Sequence, residues 1–211
     1  MIECVALRPY SYYLSIYKKV AAVERVFDGL QKEISTFQAQ SSLKCLTGCG
    51  KCCTKSDLSA TILEFLPLAY HLYKTDKAEE MLAKMDEESE STVCHLFNPL
   101  VVGAGSGFCG NYKYRGLICR LFGYAASRDK NGQKKLVTCQ LIKADQPVPY
   151  QTTVGAISDG TMAVPMMYDY QSQLMGIDWE LGSKFYPVNT AIRKAVEMVL
   201  FYYQFRGRRA S

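Results

Sequence analysis

The sequence predicts a mainly α chain with a small β-hairpin. An irregular cysteine-rich core at about residues 40–142 is flanked by amphipathic helices at about 11–38 and 189–205. Three observations predict this: apolar positions at helical spacing near both ends, cysteines gathered between residues 45 and 139, and an Asn-Gly pair between two short apolar runs. At 211 residues and 48% hydrophobic content, the chain fits one domain, 1–211, with enough apolar mass to bury a core of its own.

In chain order, the first helix is carried by Tyr13, Ile16, Val20, Val23, Phe27, Leu30, Ile34 and Phe37, whose steps of three and four place them on one face. The seam runs for only about three and a half heptads, so it is expected to pack on the rest of the domain, while leaving room for a homodimer. Polar Gln38–Lys44 ends it. Ser59–Tyr73 reads as a second helix, and Pro67 requires it either to start late, near Glu64, or to kink. Asp76–Glu90 reads as a third, charged helix with Ala78, Met81, Leu82 and Met85 inward. Pro99–Gly110 is a glycine-rich loop. Ile118–Ser127 and Lys134–Gln140 read as strands joined by a turn through Asn131-Gly132. Residues 145–186, interrupted by Pro147, Pro149, Gly155, Gly160 and Pro165, keep no period and take no assignment. Asn189 is expected to cap a last helix in which Val188, Ile192, Ala195, Val196, Val199 and Tyr203 share a face.

A net charge of +5 is a mild excess, suited to keeping a chain in solution. The first residues lack a basic leader followed by an apolar run, and no stretch of about 18 apolar residues occurs. The expectation is a cytoplasmic protein with no membrane partner. In a reducing compartment, clustered cysteines signal metal or redox chemistry rather than disulfides.

Of the nine cysteines, four stand in Cys45-Leu-Thr-Gly-Cys49-Gly-Lys-Cys52-Cys53; Cys94, Cys109, Cys119 and Cys139 follow, and Cys4 stands apart without ligand spacing. A chain turning around a metal offers its next thiolate after two to four residues. Gly48 and Gly50 permit the tight turns this needs, and Lys51 and Lys55 would favour the thiolate form. Eight cysteines divide into two sets of four. If the segment is extended, adjacent Cys52 and Cys53 point apart. That suggests Cys45, Cys49 and Cys52 on one centre and Cys53 with later cysteines on a second; a single centre with free thiols is the rival. The candidate metal ligands are therefore Cys45, Cys49, Cys52, Cys53, Cys94, Cys109, Cys119 and Cys139. His95 is a weaker candidate, and His71 is read as structural. All-thiolate sites suit zinc and iron–sulfur centres alike.

The ordered set Cys45-x3-Cys49-x2-Cys52-Cys53, Cys94, Cys109-x2-Tyr112-x2-Arg115-x3-Cys119-Arg120-x-Phe122 and Cys139 resembles the YkgJ-like cysteine-cluster family over about half of the chain. The resemblance implies chelation of zinc or iron. Family members often carry iron–sulfur or oxidoreductase labels, and a flagellin lysine methylase contains a related cluster. Where the family has Arg-Pro before its Cys-Arg-x-Phe element, this chain has Arg115-Gly116, which puts the local turn in question. The first three cysteines also match the radical SAM spacing. Lys51 in place of an aromatic, and the lack of βα alternation, make that match incidental.

Three function classes stand. The first is a metal-binding protein (zinc, iron or iron–sulfur). The second is an iron–sulfur enzyme of redox or methyl-transfer type. The third is an interaction module stapled by zinc and contacting a protein partner. Arg115 and Arg120, flanking Cys119, would offset thiolate charge or hold an anion. Two histidines and no phosphate-binding loop leave no triad or nucleotide motif. Tyr112, Tyr114 and Phe122, with the tail Arg206-Gly-Arg208-Arg209, are too little to indicate nucleic acid.

Overall fold

A computed structural model describes residues 15–46, 49–100 and 107–204. It is mainly α, with three two-stranded antiparallel sheets among the described residues instead of one hairpin.

The long helix α1 (Ile16–Ser41) starts where the Ser15 hydroxyl accepts from Lys18 N and ends at left-handed Ser42, whose N–H donates to Gln38 O. Its seam is buried from Ile16 to Phe37, as the spacing predicts; Tyr13 lies outside the described residues. That seam packs on α2 (Leu66–Lys74) and α7 (Met167–Ile177), inside the chain's own core, which leaves none of it for a second copy. The last helix, α9 (Val188–Gln204), lies mainly against α2, with Ile192, Ala195, Val196 and Val199 fully buried. A buried ion pair from Lys19 to Asp178 ties α1 to α8 (Trp179–Ser183), whose first turn Asp178 also caps.

The second predicted helix starts late. Ser59–Thr61 is strand β1, a short 3-10 turn spans Leu63–Phe65, and Pro67 sits in the first turn of α2, where its missing N–H costs nothing. Glu64 Oε1 reaches back to accept from Thr61 N at 2.8 Å and from the Thr61 hydroxyl at 3.0 Å, fixing the turn that leads into α2. Helix α3 (Ala78–Glu87) buries Ala78 and Met85 and packs Met81 and Leu82 on the core.

The middle departs further from expectation. Phe97–Pro99 (β2) and Gly107–Cys109 (β3) pair antiparallel at the ends of the glycine-rich loop, whose residues 101–106 lie outside those described. The strand predicted over Ile118–Ser127 is helix at its start: α4 covers Leu117–Leu121, and only Ala125–Arg128 is strand (β4). The reason is a distant cap, because Glu64 Oε2 accepts from Ile118 N at 3.3 Å. Strand β5 (Lys134–Val137) completes the hairpin, with Asp129 Oδ1 accepting from Asn131 N and Gln133 N and with Gly132 at φ 79°. The unassigned stretch is mostly helical: α5 (Gln140–Asp145), α6 (Pro147–Ser158), α7 and α8. Pro147 and Pro149 stand in the first turn of α6 and left-handed Gly160 follows its end, so these breakers mark boundaries, while Gly155 lies inside the helix. Strand β6 (Phe185–Pro187) returns to pair with β1.

Asn189 does not cap α9. The helix begins one residue earlier, at Val188, and the Asn189 side chain turns outward to another segment.

Candidate metal centre

The first cysteine group sits on the connection from α1 to β1, held by residues far along the chain. Cys45 N donates to Tyr124 Oη at 2.8 Å, and the Gln146 amide clamps Lys44 through both its N–H (3.0 Å) and its C=O (2.7 Å). Cys53 N closes a turn onto Gly50 O at 2.9 Å. Gly50 lies at φ 59°, and a Cβ there would run into the Phe97 ring, so the left-handed turn and the close approach both require glycine. Gly48 lies outside the described residues, as does Cys4.

Residues 51–54 form a turn instead of an extended segment, so Cys52 and Cys53 do not point apart by strand alternation. Their side chains hydrogen-bond to each other. That bond pulls the Cys52 thiol down to about 6 and pushes Cys53 up, burial adding to the latter.

The Cys53 carbonyl accepts from Cys94 N at 2.9 Å, joining the first group to the second. The loop before β2 is gripped by Asn189: its Oδ1 accepts from His95 N at 3.0 Å, and its Nδ2 donates to Ser91 O at 3.2 Å and Val93 O at 2.9 Å. Cys94, in that loop, is 8% exposed. The β2–β3 register sets Phe97 opposite Cys109. Cys119 lies on α4, and Cys139 stands just before α5.

The eight thiols share one electrostatic neighbourhood with an internal division. Burial raises Cys45, and Cys49, Cys52 and Cys139 raise it further. Burial likewise raises Cys94, to about 11, with Cys109 and Cys52 adding to the effect. It raises Cys109, which also feels Cys52, and it raises Cys119, which feels Cys94, Cys52 and Cys109. Cys53 feels Cys94 and Cys109. Cys52 thus adjoins both sets. Nearby backbone amides also favour the thiolate form at three sulfurs: Leu96 at Cys94, Asn111 at Cys109, and the Cys52 and Cys53 amides at Cys52. Amides aimed at sulfur favour a thiolate and tune a metal bound to it. Among the described residues, no three His, Cys, Asp or Glu side chains converge tightly enough to hold one ion. All eight described cysteines are free.

Of the cations expected to act on the thiols, Arg115 does, joined by Lys84, which no spacing marks. Lys51 and Lys55 are exposed, whereas Arg115 lowers Cys45, Cys52 and Cys109, and Lys84 lowers Cys94. Arg120 donates to the carbonyls of Arg115 and Lys113; burial, then Arg115, lowers it to about 10, which leaves it cationic at neutral pH. No carboxylate pairs directly with Arg115 or Arg120 among the described residues. His95 is buried with Nδ1 3.0 Å from Glu88, and His71 stacks on Tyr114 at 4.4 Å. Gly116, at φ −66°, has a backbone that proline could adopt. A Cβ there, however, would lie 2.8 Å from the Phe65 ring and 3.0 Å from Glu64, so packing demands the glycine.

The eight ordered cysteines all fall in one segment. Residues 44–140 match the family model CxxCxxCC, described as a "putative zinc- or iron-chelating domain". This segment is similar to a CxxCxxCC domain. It covers a little under half of the chain. No curated protein and no solved structure gives a match. The matched segment contains every candidate ligand, whereas α1, α7 and α9, which supply much of the core, lie outside it. Gln146 and Asn189, which position its cysteine loops, also lie outside. No local signal marks either residue: Gln146 stands 102 positions from Lys44, and Asn189 stands 94 from His95. No helix among the described residues is long and apolar enough to cross a membrane.

Proposed function

We propose that the chain is a thiolate metal-binding protein, in which the CxxCxxCC domain holds zinc or an iron–sulfur centre in the cytoplasm. The observation that carries this is the gathering of eight free thiols that act on one another's charge beside Arg115. The donor set fits either group, because both are satisfied by four thiolates and gain from nearby N–H and cationic groups. The mutual influences favour two sets, Cys45, Cys49, Cys52 and Cys139 in one and Cys53, Cys94, Cys109 and Cys119 in the other. Zinc would supply a rigid cross-link, and an iron–sulfur centre would supply electron transfer. This chain's own residues orient the sulfurs through Tyr124, Gln146 and Asn189 and offset their charge through Arg115 and Lys84.

Anaerobic purification of the full chain, with elemental analysis and a visible spectrum, tests the reading. Bound iron with acid-labile sulfide and broad visible absorbance identifies an iron–sulfur protein; a colourless chain with stoichiometric zinc identifies a zinc protein. The two-set arrangement predicts that Cys139→Ser and Cys109→Ser each release a different share of the metal. A folded chain that retains neither metal after anaerobic reconstitution refutes the proposal.

A further inference from the structure

Beside the cysteine cluster, α1 and the segment 112–120 enclose a cavity of about 460 Å³ whose walls include Arg115, Arg120 and Lys113 on one side and Glu24 and Asp28 on the other. That volume suits a small molecule. The guanidiniums are fixed by flat stacking: Arg115 lies 3.8 Å over the Tyr112 ring and Arg120 4.4 Å over Phe27. Arg120 is further pinned by the Lys113 and Arg115 carbonyls. Arg115 Nε is buried and has no hydrogen-bond partner among the described residues. A buried charged donor left unmade is costly, and it indicates a partner of complementary charge. Two adjacent guanidiniums, half-buried and without a carboxylate in direct contact among the described residues, can take an anion beyond the thiols that Arg115 faces and the Asp28 charge that Arg120 feels. Glu24 and Asp28 are exposed on the far wall, where solvent weakens their claim on the arginines.

We propose that this cavity is a binding site for a small carboxylate- or phosphate-bearing molecule. Its oxyanion sits on Arg115 and Arg120, and its hydroxyl or amino groups donate to Glu24 and Asp28. The site stands independently of the metal reading, because neither arginine is a proposed ligand and its readout is binding, with metal content counted separately.

Calorimetric titration of the full chain at low ionic strength with inorganic phosphate, succinate and malate tests it. Saturable binding is expected for phosphate or for the dicarboxylates, and whichever arm responds identifies the oxyanion. Malate, with its added hydroxyl, should bind more tightly than succinate. Arg115→Gln should weaken binding by about tenfold or more. Where that variant folds poorly or sheds metal, the double variant Glu24→Gln/Asp28→Asn decides: with the repulsion removed, it should bind phosphate more tightly and lose the preference for malate. No saturable binding by any of the three probes overturns the proposal. So does unchanged binding in a folded Arg115→Gln chain, or unchanged or weaker phosphate binding in the double variant. A chain that takes up no metal on anaerobic reconstitution yet still binds the anion would sink the metal reading alone.

Discussion

Asn189 makes three hydrogen bonds to the segment 91–95 that carries Cys94, and nothing else of comparable reach holds that segment to α9. Removing it leaves the Ser91 carbonyl and the His95 N–H partly buried and unpaired, and the Val93 carbonyl with only the Ser91 hydroxyl at 3.4 Å, so Asn189→Ala should cost about 1–3 kcal/mol in chemical denaturation. Asn189→Asp keeps the acceptor for His95 N but loses both donations, and should fall between the two. If the alanine variant matched the wild type in stability and metal retention, the clamp would be idle. The vicinal pair makes a second residue-level prediction. Cys53 holds Cys52 at about 6, below the ordinary thiol value of 9.0, so Cys52 is thiolate at neutral pH and protonates only as pH falls through about 6. In the metal-free chain, alkylation at pH 7 should therefore strike Cys52 first, with a rate that rises through about pH 6 and levels off above it. Cys53→Ala removes the donor and should move the inflection upward, as read by peptide mapping across a pH series.

At the scale of elements, legibility followed locality. Helix α1 was readable because its buried face repeats at one period through Ile16, Val20, Val23, Phe27, Leu30, Ile34 and Phe37. The 129–133 turn was readable because Asp129 and Gly132 act on their own neighbours. Helix α4 was not, since its first turn is capped by Glu64, 54 residues earlier. The helices after residue 145 were hidden for another reason: α6 buries only Thr153 and Ile157, too few to show a stripe among its prolines and glycine. In the site, the cysteines were legible by spacing, but Tyr124, Gln146 and Asn189 were not, being joined to it only by the fold. Gly116 joins the two cases. Its backbone would accept proline, yet the Phe65 ring and Glu64 fill the space beside it. Gly116→Ala should thus destabilise α4 by about 1–3 kcal/mol through overpacking. A neutral result in thermal denaturation would mean that Phe65 and Glu64 yield freely.

For the molecule as a whole, the question is whether the metal makes the fold or the fold makes the metal site. Zinc fingers unfold without metal because they have almost no core, and structural zinc supplies them with about 10–16 kcal/mol of folding free energy. Here Val23, Leu30, Leu66, Leu68, Leu174, Ile192 and Val196 are fully buried, contributed by α1, α2, α7 and α9. Of the described cysteines, only Cys94 belongs to the buried cluster, while Cys53, Cys109 and Cys139 pack against its edge. The helical frame should therefore outlast the metal. Stripping the full chain with a chelator under reducing conditions should leave its far-ultraviolet circular dichroism nearly unchanged, while hydrogen exchange accelerates over 44–58 and 92–123. A cooperative collapse of the whole spectrum would instead mean that the thiolate centre carries the fold. By contrast, Leu30→Ala, at the buried centre of α1, should cost about 2–5 kcal/mol whether or not metal is present. A Leu30→Ala cost that vanished on stripping would show that the core and the cysteine segment fold as one unit, since a core independent of the metal keeps its energetics when the metal is gone.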